Sequence, residues 1–295
     1  MKLSHQPILP FVAALCGIFT FSIMDALMKS ATIAAGAYSS VLLRSVLGAV
    51  MMLPVWQLTG KARWPERNVL KVHAARGLLS SVMATTFFYG LARIPMAEGM
   101  ALSFIAPLIA LYLAAVFLGE RIGRKAIFAS LLGLGGVLVI AAGRWEAGGF
   151  GPEALKGVAA ILGSAVAYAA NLVVQRHQAQ LADPREIAFF QALFTSLFMS
   201  AALPWLFAMP SAGAMTDIFG AAVLASTSIM LLSWAYARAE AHVLIPTEYS
   251  AFIWAALMGW AMFGEAVTGP TIAGVVLIVA ACWIAARGHT EQTAL

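Results

Sequence analysis

The chain is 295 residues long, 62% hydrophobic and 11% charged, with a formal net charge of +5 and a mean hydropathy of +0.88. Soluble domains keep about a quarter of their residues charged, so this composition excludes one. Ten helices of roughly 20 residues, the length that a hydrocarbon core of about 30 Å demands, use most of the chain and leave only short connectors.

Apolar runs bounded by charge, Gly or Pro predict an all-α integral membrane protein with ten transmembrane helices, over residues 9–28, 37–57, 72–91, 97–118, 126–142, 157–175, 187–207, 218–237, 243–263 and 268–286. The first run is too long for the apolar core of a signal peptide and reads as a structural helix. With the N-terminus inside, cytoplasmic segments hold Lys2, Lys61, Arg63, Arg67, Lys71, Arg76, Arg121, Arg124, Lys125, Arg176, Arg185, Arg238 and Arg287, which are 13 of the 18 basic residues. Lys29, Arg93, Arg144 and Lys156 fall outside, and Arg44 lies within a span. The bias predicts that both termini are cytoplasmic. It also accounts for the positive charge without a nucleic-acid partner, and is compatible with weak attraction to anionic membrane lipid.

The first span carries Asp25 near its outer end and Lys29 one turn further. Arg44 lies about seven residues into the second span from the same side, roughly 10 Å deep. Ionisable side chains in hydrocarbon are costly unless they are paired or face water, which makes Asp25 and Arg44 candidates for a substrate or gating role. The structural alternatives are a local Asp25–Lys29 pair at i, i+4 and an Arg44 that ties two helices together. In the fourth span Glu98 occupies the first turn, where the helix dipole favours an acid. Pro107, halfway along, leaves one carbonyl in need of a partner, with Ser103 and Phe104 a turn away; a packing kink is the alternative.

The fourth and ninth spans end in Gly119-Glu120 and Gly264-Glu265. These acids stand at helix C-termini, where the dipole disfavours an anion, which predicts a cation partner or a cap on the next helix. Glu248, in the first turn of its helix, is a candidate for proton coupling or for holding an ammonium group. Tyr168, Tyr249 and Trp254 lie well within spans and carry a hydroxyl or an indole N–H that lipid cannot satisfy, so they are expected to face the interior. There they line a pocket for a ligand with an aromatic or apolar body, or bond a carbonyl of the next helix. The other polar-tipped aromatics, Trp56 among them, read as an interfacial belt.

Ala129, Gly133, Gly135 and Gly136 in the fifth span, with Gly269, Ala273 and Gly274 in the tenth, permit close helix packing, internal or across a homodimer. Cys16 and Cys282 read as small core hydrophobes. His5, His73, His177, His242 and His289 read as loop or terminal residues that share no helix face with another ligand, so neither a metal site nor a cofactor is expected.

The chain repeats itself. Residues 12–29 match 158–175 at an offset of 146, pairing Ala13 with Ala159, Gly17 with Gly163, Asp25 with Asn171 and Lys29 with Gln175. A second match, at an offset of 145, pairs residues 89–120 with 234–265, including both Gly-Glu endings. Two five-helix halves, 1–146 and 147–295, follow, and because five is odd the second enters the bilayer with inverted topology. In the second half Asn171, Gln175 and Gln191 replace Asp25, Lys29 and Arg44. The charged trio is therefore expected to close the outer side, and the neutral trio the inner side.

The strings "ALSFIAPLIALYLAAVFLGERI" and "EYSAFIWAALMGWAMFGEAVTGPTIAGVVLIVAACWIA" resemble the EamA-type repeat of the drug/metabolite transporter superfamily, an apolar helix ending in Gly-Glu followed by a small-residue helix. The ten-span layout is similar to the YddG-like exporters of aromatic amino acids. The resemblance implies an alternating-access secondary transporter of a bacterial inner membrane, exporting amino acids and related small metabolites, with drugs, nucleosides or cationic compounds as the alternative cargo. An integral membrane enzyme is the competing class. The chain carries no G-x-S-x-G, no H-E-x-x-H and no phosphate-binding G-x-x-x-x-G-K-[ST] sequence to support it.

Overall fold

The computed structural model describes residues 8–58, 64–106, 108–110, 112–113, 124–146, 151–236, 238, 247 and 249–293. Every regular element among them is helical. In chain order these are α1 (Ile8–Ala35), α2 (Ala37–Leu58), α3 (Arg67–Leu91), α4 (Met96–Ser103), α5 (Arg124–Glu146), α6 (Pro152–Leu181), α7 (Pro184–Ser200), the single turn α8 (Leu203–Leu206), α9 (Ala212–Tyr236), α10 (Ser250–Phe263) and α11 (Gly269–Thr293). The helices α1, α2, α6 and α9 contain stretches long and apolar enough to cross a bilayer, and shorter apolar stretches lie in α5, α10 and α11.

Several elements depart from the predicted spans. Pro204 stands just past the break in the seventh span, where the chain turns at Ala201–Ala202 between α7 and α8, because proline cannot continue the backbone ladder. The fourth span is helical as α4 only to Ser103, and the chain then turns at Phe104–Ile105. Conversely, α3 starts at Arg67, which sets His73 nearly two turns inside it rather than at its edge, and α6 runs to Leu181, which places His177, expected in a loop, within a helix.

Val50, Leu131, Leu138, Trp205 and Trp260 are exposed, while Ser22, Asp25, Lys29, His73, Arg76, Asn171 and Gln178 are buried beside a largely apolar core. An apolar exterior with its polar groups drawn inside is what a lipid solvent selects. Cys16 belongs to that exterior rather than to the core, whereas Cys282 is buried as expected. Trp56 departs in the other sense: it stacks on Phe189 at 5.0 Å and meets Phe190 edge-on, buried between α2 and α7.

The closest packing crosses between the halves of the sequence: α1 lies along α9, α3 along α6, α2 along α7 and α5 along α11. All four pairs are antiparallel. Ala14 meets Ala235 while Leu27 approaches Gly220. Gly90 abuts Gly157, and the Ser164 hydroxyl bonds the Met83 carbonyl. Gly48 faces Ala192 while Trp56 stacks on Phe189. Gly136 faces Gly274 while Gly143 meets Pro270.

Helices α2 and α7 correspond in the repeat, as do α5 and α11, so corresponding helices run in opposite directions. Exchanging the halves also converts the α1–α9 pair into α6–α3. The two halves interdigitate, and each finds its packing partners mainly in the other. The small residues of α5 and α11 serve this internal contact: a Cβ on Gly136 stands 2.6 Å from the Gly274 carbonyl oxygen. Gly135 and Gly269, by contrast, meet nothing within 4 Å.

Candidate functional site

One residue, Gly36, separates α1 from α2. Its φ of +81° is a conformation that favours glycine, and it turns the chain sharply enough for the two helices to pack together. Asp25 is thereby buried with Arg44 as the charge acting on it. Asp25 Oδ1 and Arg44 Nε are both buried without a hydrogen-bond partner.

The corresponding positions of the second half repeat this condition with neutral groups. Asn171 is buried on α6, and its Oδ1 has no partner. On α7, Gln191 Nε2 donates to the Ser80 hydroxyl at 3.2 Å, and its Oε1 is buried without a partner. On α10 the Trp254 ring stands edge-on to Phe19 at 4.8 Å, with Nε1 likewise unmet. Each buried, unpaired polar group costs about 1–3 kcal/mol, and natural interiors hold few of them. Asp25, Arg44, Asn171, Gln191 and Trp254 thus each carry a buried polar atom that no protein group meets.

Other candidates are used within the protein. The Ser103 hydroxyl donates to the Gly99 carbonyl at 2.8 Å. Leu108 N–H bonds the Ile105 carbonyl, leaving the Phe104 carbonyl outside the helical ladder; it receives the Cys282 thiol at 3.4 Å. Tyr249 hydrogen-bonds the same Cys282 and stands edge-on to Phe104 at 5.6 Å. Tyr168 interacts electrostatically with Arg76. Pro107, Glu120 and Glu248 lie outside the described residues.

Lys29 does not form the local pair with Asp25. Helix α10 stops at Gly264, whose φ of +64° is the left-handed conformation of a glycine stop. The turn carries Glu265 back across the bundle, where Oε1 pairs with Lys29 of α1. Glu265 Oε2 accepts from Met96 N–H at 2.7 Å and so caps α4, while Lys29 Nζ also donates to the Ile94 carbonyl at 2.8 Å. Glu265 thus has the cation partner expected of it, while the helix it caps is α4 across the bundle and not the next in sequence. Gln175, the counterpart of Lys29, is exposed, so the buried contact of Lys29 is not repeated at that position of the second half.

Sequence reasoning missed a second polar set. Arg76, counted with the cytoplasmic loops, is buried on α3, and His73 beside it is fully buried. Arg76 Nη1 donates to Gln178 Oε1 of α6. Gln178 Nε2 meets His73 Nδ1 at 2.6 Å, and His73 Nε2 meets Glu186 Oε1 of α7 at 3.1 Å. Phe190 stacks on the imidazole at 4.9 Å. Asp183 starts α7 by accepting from the Arg185 and Glu186 amides, which fixes Glu186 in the first turn. The signal was present in the spacing: His73, Arg76 and Ser80 recur at helical intervals on one face of α3. Among the described residues no cluster of three or more His, Cys, Asp or Glu side chains gathers to hold a metal.

This architecture has known counterparts. The profile of the EamA-like transporter family matches residues 9–142 and again 155–287. The chain is 27% identical over 274 residues to the pseudopaline exporter CntI of Pseudomonas aeruginosa, covering 91% of this chain and 93% of that one. It is 28% identical to a riboflavin transporter of Rhizobium johnstonii, over 75% of this chain and 71% of that one. To an S-adenosylmethionine uptake transporter of Rickettsia bellii it is 26% identical, over 81% and 79%. A protein of known crystal structure shares the fold, with a TM-score of 0.63 at 22% identity over 94% of this chain and 96% of that one. The chain belongs to the EamA-like transporter family, and it is a multi-pass membrane transporter of small molecules rather than an enzyme.

Proposed function

We propose that the protein is a secondary transporter of the bacterial inner membrane, with ten spans and both termini cytoplasmic, that exports amino acids with aromatic or other apolar side chains and related small metabolites. The observation that carries this reading is the set of unmet buried atoms. Asp25, Asn171 and Gln191 offer acceptors suited to an ammonium group, Arg44 offers a donor suited to a carboxylate, and Trp254 adds an aromatic wall with a further donor. A zwitterion with an apolar body can be met by the charged pair on the outer side and by the neutral acceptors on the inner side in turn, as the halves alternate. Glu248 and Tyr249 border the same helix and are assigned to coupling and to the wall.

The topology is supported by which residues meet. Lys29, Met96 and Glu265 come together, and all three belong to the outer side in the ten-span reading. His73, Gln178 and Glu186 come together, and all three belong to the inner side. Antiparallel corresponding helices fit a two-fold axis in the membrane plane, about which the halves rock to open one side or the other. The names of the relatives favour polar metabolites larger than an amino acid as the second reading, and competition separates the two. A homodimer has the Gly135, Gly269 and Ala273 positions available, since Gly133, Gly136 and Gly274 are occupied within the chain.

The test is uptake of labelled phenylalanine into sealed liposomes bearing the purified protein, with unlabelled amino acids, nucleosides and cationic drugs as competitors. Saturable uptake displaced by amino acids is expected. Competition by nucleosides or cationic drugs and not by amino acids overturns the amino-acid assignment.

A further inference from the structure

The hydrogen-bond directions in the second polar set are dictated by chemistry. A guanidinium only donates and an ionised carboxylate only accepts, so the chain must run one way. Arg76 donates to Gln178 Oε1. The amide nitrogen of Gln178 therefore donates to His73 Nδ1, and the proton of a neutral imidazole sits on Nε2, donated to Glu186. Each link accepts with one end and donates with the other, and Glu186, 18% exposed, is its outer terminus.

At the inner terminus stands an arginine that this chain does not neutralise directly. Arg76 is 7% exposed, and its Nε is buried without a partner. No described carboxylate pairs with its guanidinium; Glu186 reaches it only through His73 and Gln178. A buried cation without an adjacent anion is costly, and inside a membrane such a group marks a place that another charge visits. Tyr168 shares the electrostatic environment of Arg76, and Ser80, one turn further along α3, receives Gln191 of α7. The two-fold counterparts of Gln178 and Glu186 are Thr32 and Ser39, at the offsets of the repeat and allowing one extra linker residue. Their short hydroxyls cannot span the same chain, so this feature belongs to one side of the molecule and is not a requirement of the fold.

We propose that Arg76 anchors the anionic group of a bound molecule, a carboxylate or similar monoanion, and that the Glu186–His73–Gln178 chain holds the guanidinium back until a proton reaches His73. A protonated imidazole donates from both nitrogens. Nε2–H keeps Glu186, while Nδ1–H turns the Gln178 amide so that its oxygen faces the ring. The amide nitrogen then faces Arg76, donor against donor, and the guanidinium is released toward the interior. The charges acting on His73 are Glu186 from α7 and Arg76 on α3; from α6 it faces the neutral Gln178. Anion binding is thus strengthened as pH falls. The inference rests on the carrier reading above but not on phenylalanine as its cargo.

The test uses the full-length purified protein with phenylacetate, and with phenylacetamide as its uncharged isostere, titrated calorimetrically at pH 5.5 and 8.0. At pH 5.5 the acid is expected to bind at least about tenfold more tightly than the amide, the value of one charge-assisted contact. R76Q abolishes that preference, and R76K keeps part of it. H73Q, whose amide can accept from Gln178 and donate to Glu186 but cannot take a proton, removes the pH dependence. Q178A frees Arg76 without a proton and strengthens acid binding at pH 8.0, a gain that misfolding cannot imitate. An unchanged acid preference in R76Q, or no acid preference in the unaltered protein, overturns the proposal. Failure of phenylalanine transport with this pattern intact overturns the cargo assignment alone.

Discussion

Glu265→Gln isolates the charge of the Lys29–Glu265 contact, because the amide oxygen can still accept from Met96 N–H and the side chain keeps its size. Lys29 is buried, with side-chain exposures of 5% for Lys29 and 18% for Glu265. Removing one member of a buried pair costs about 3–5 kcal/mol, since the remaining charge loses its partner. Here the Ile94 carbonyl still receives the ammonium at 2.8 Å, and Glu265 is partly solvated, so the lower end applies, about 3 kcal/mol. Lys29→Met added to Glu265→Gln removes the charge that Glu265 balanced and returns stability to within about 1 kcal/mol of the unaltered protein. The assay is reversible unfolding in mixed detergent micelles across this double-mutant cycle. A cost under about 0.5 kcal/mol for Glu265→Gln, or a double variant no more stable than the single one, refutes the argument that this contact ties α1, α4 and α10 together.

Adjacent glycines of α5 separate packing from propensity. Gly136→Ala places a methyl 2.6 Å from the Gly274 carbonyl oxygen and is expected to cost about 1–3 kcal/mol, whereas Gly135→Ala meets open space and gains up to about 1 kcal/mol from helix propensity; the same unfolding assay reads both. Gly264→Ala forces a Cβ into the left-handed conformation at φ +64° and should cost about 1–2 kcal/mol, with a further sign in the loss of coupling between Lys29 and Glu265. In liposomes, Trp254→Ala is expected to weaken uptake of aromatic substrates more than that of small ones, and equal loss for both removes Trp254 from the specificity argument. Arg44→Gln is expected to reduce transport while the protein stays folded; unchanged transport and folding removes it from the site.

Composition and period determined much about this protein without any coordinates. A chain with so few charges must place its apolar residues against lipid, and the internal repeat alone assigns Asp25 to Asn171, Lys29 to Gln175 and Arg44 to Gln191. The sequence also picked out Asp25, Arg44, Asn171, Gln191 and Trp254, each of which has one buried polar atom without a partner, because a polar group in an apolar run is conspicuous whatever it touches. What the linear order could not supply was partnership across the bundle. Lys29 finds Glu265, 236 positions away, rather than Asp25 one turn back, because the left-handed Gly264 redirects the chain after α10. His73 and Arg76 were misplaced because, at the edge of an apolar run, they read as belonging to the adjoining loop, and their partners Gln178 and Glu186 come from helices that only the interdigitation of the two halves brings alongside. Hydropathy reads one helix at a time, and the side chains most relevant to transport here are those whose energy depends on a second and a third.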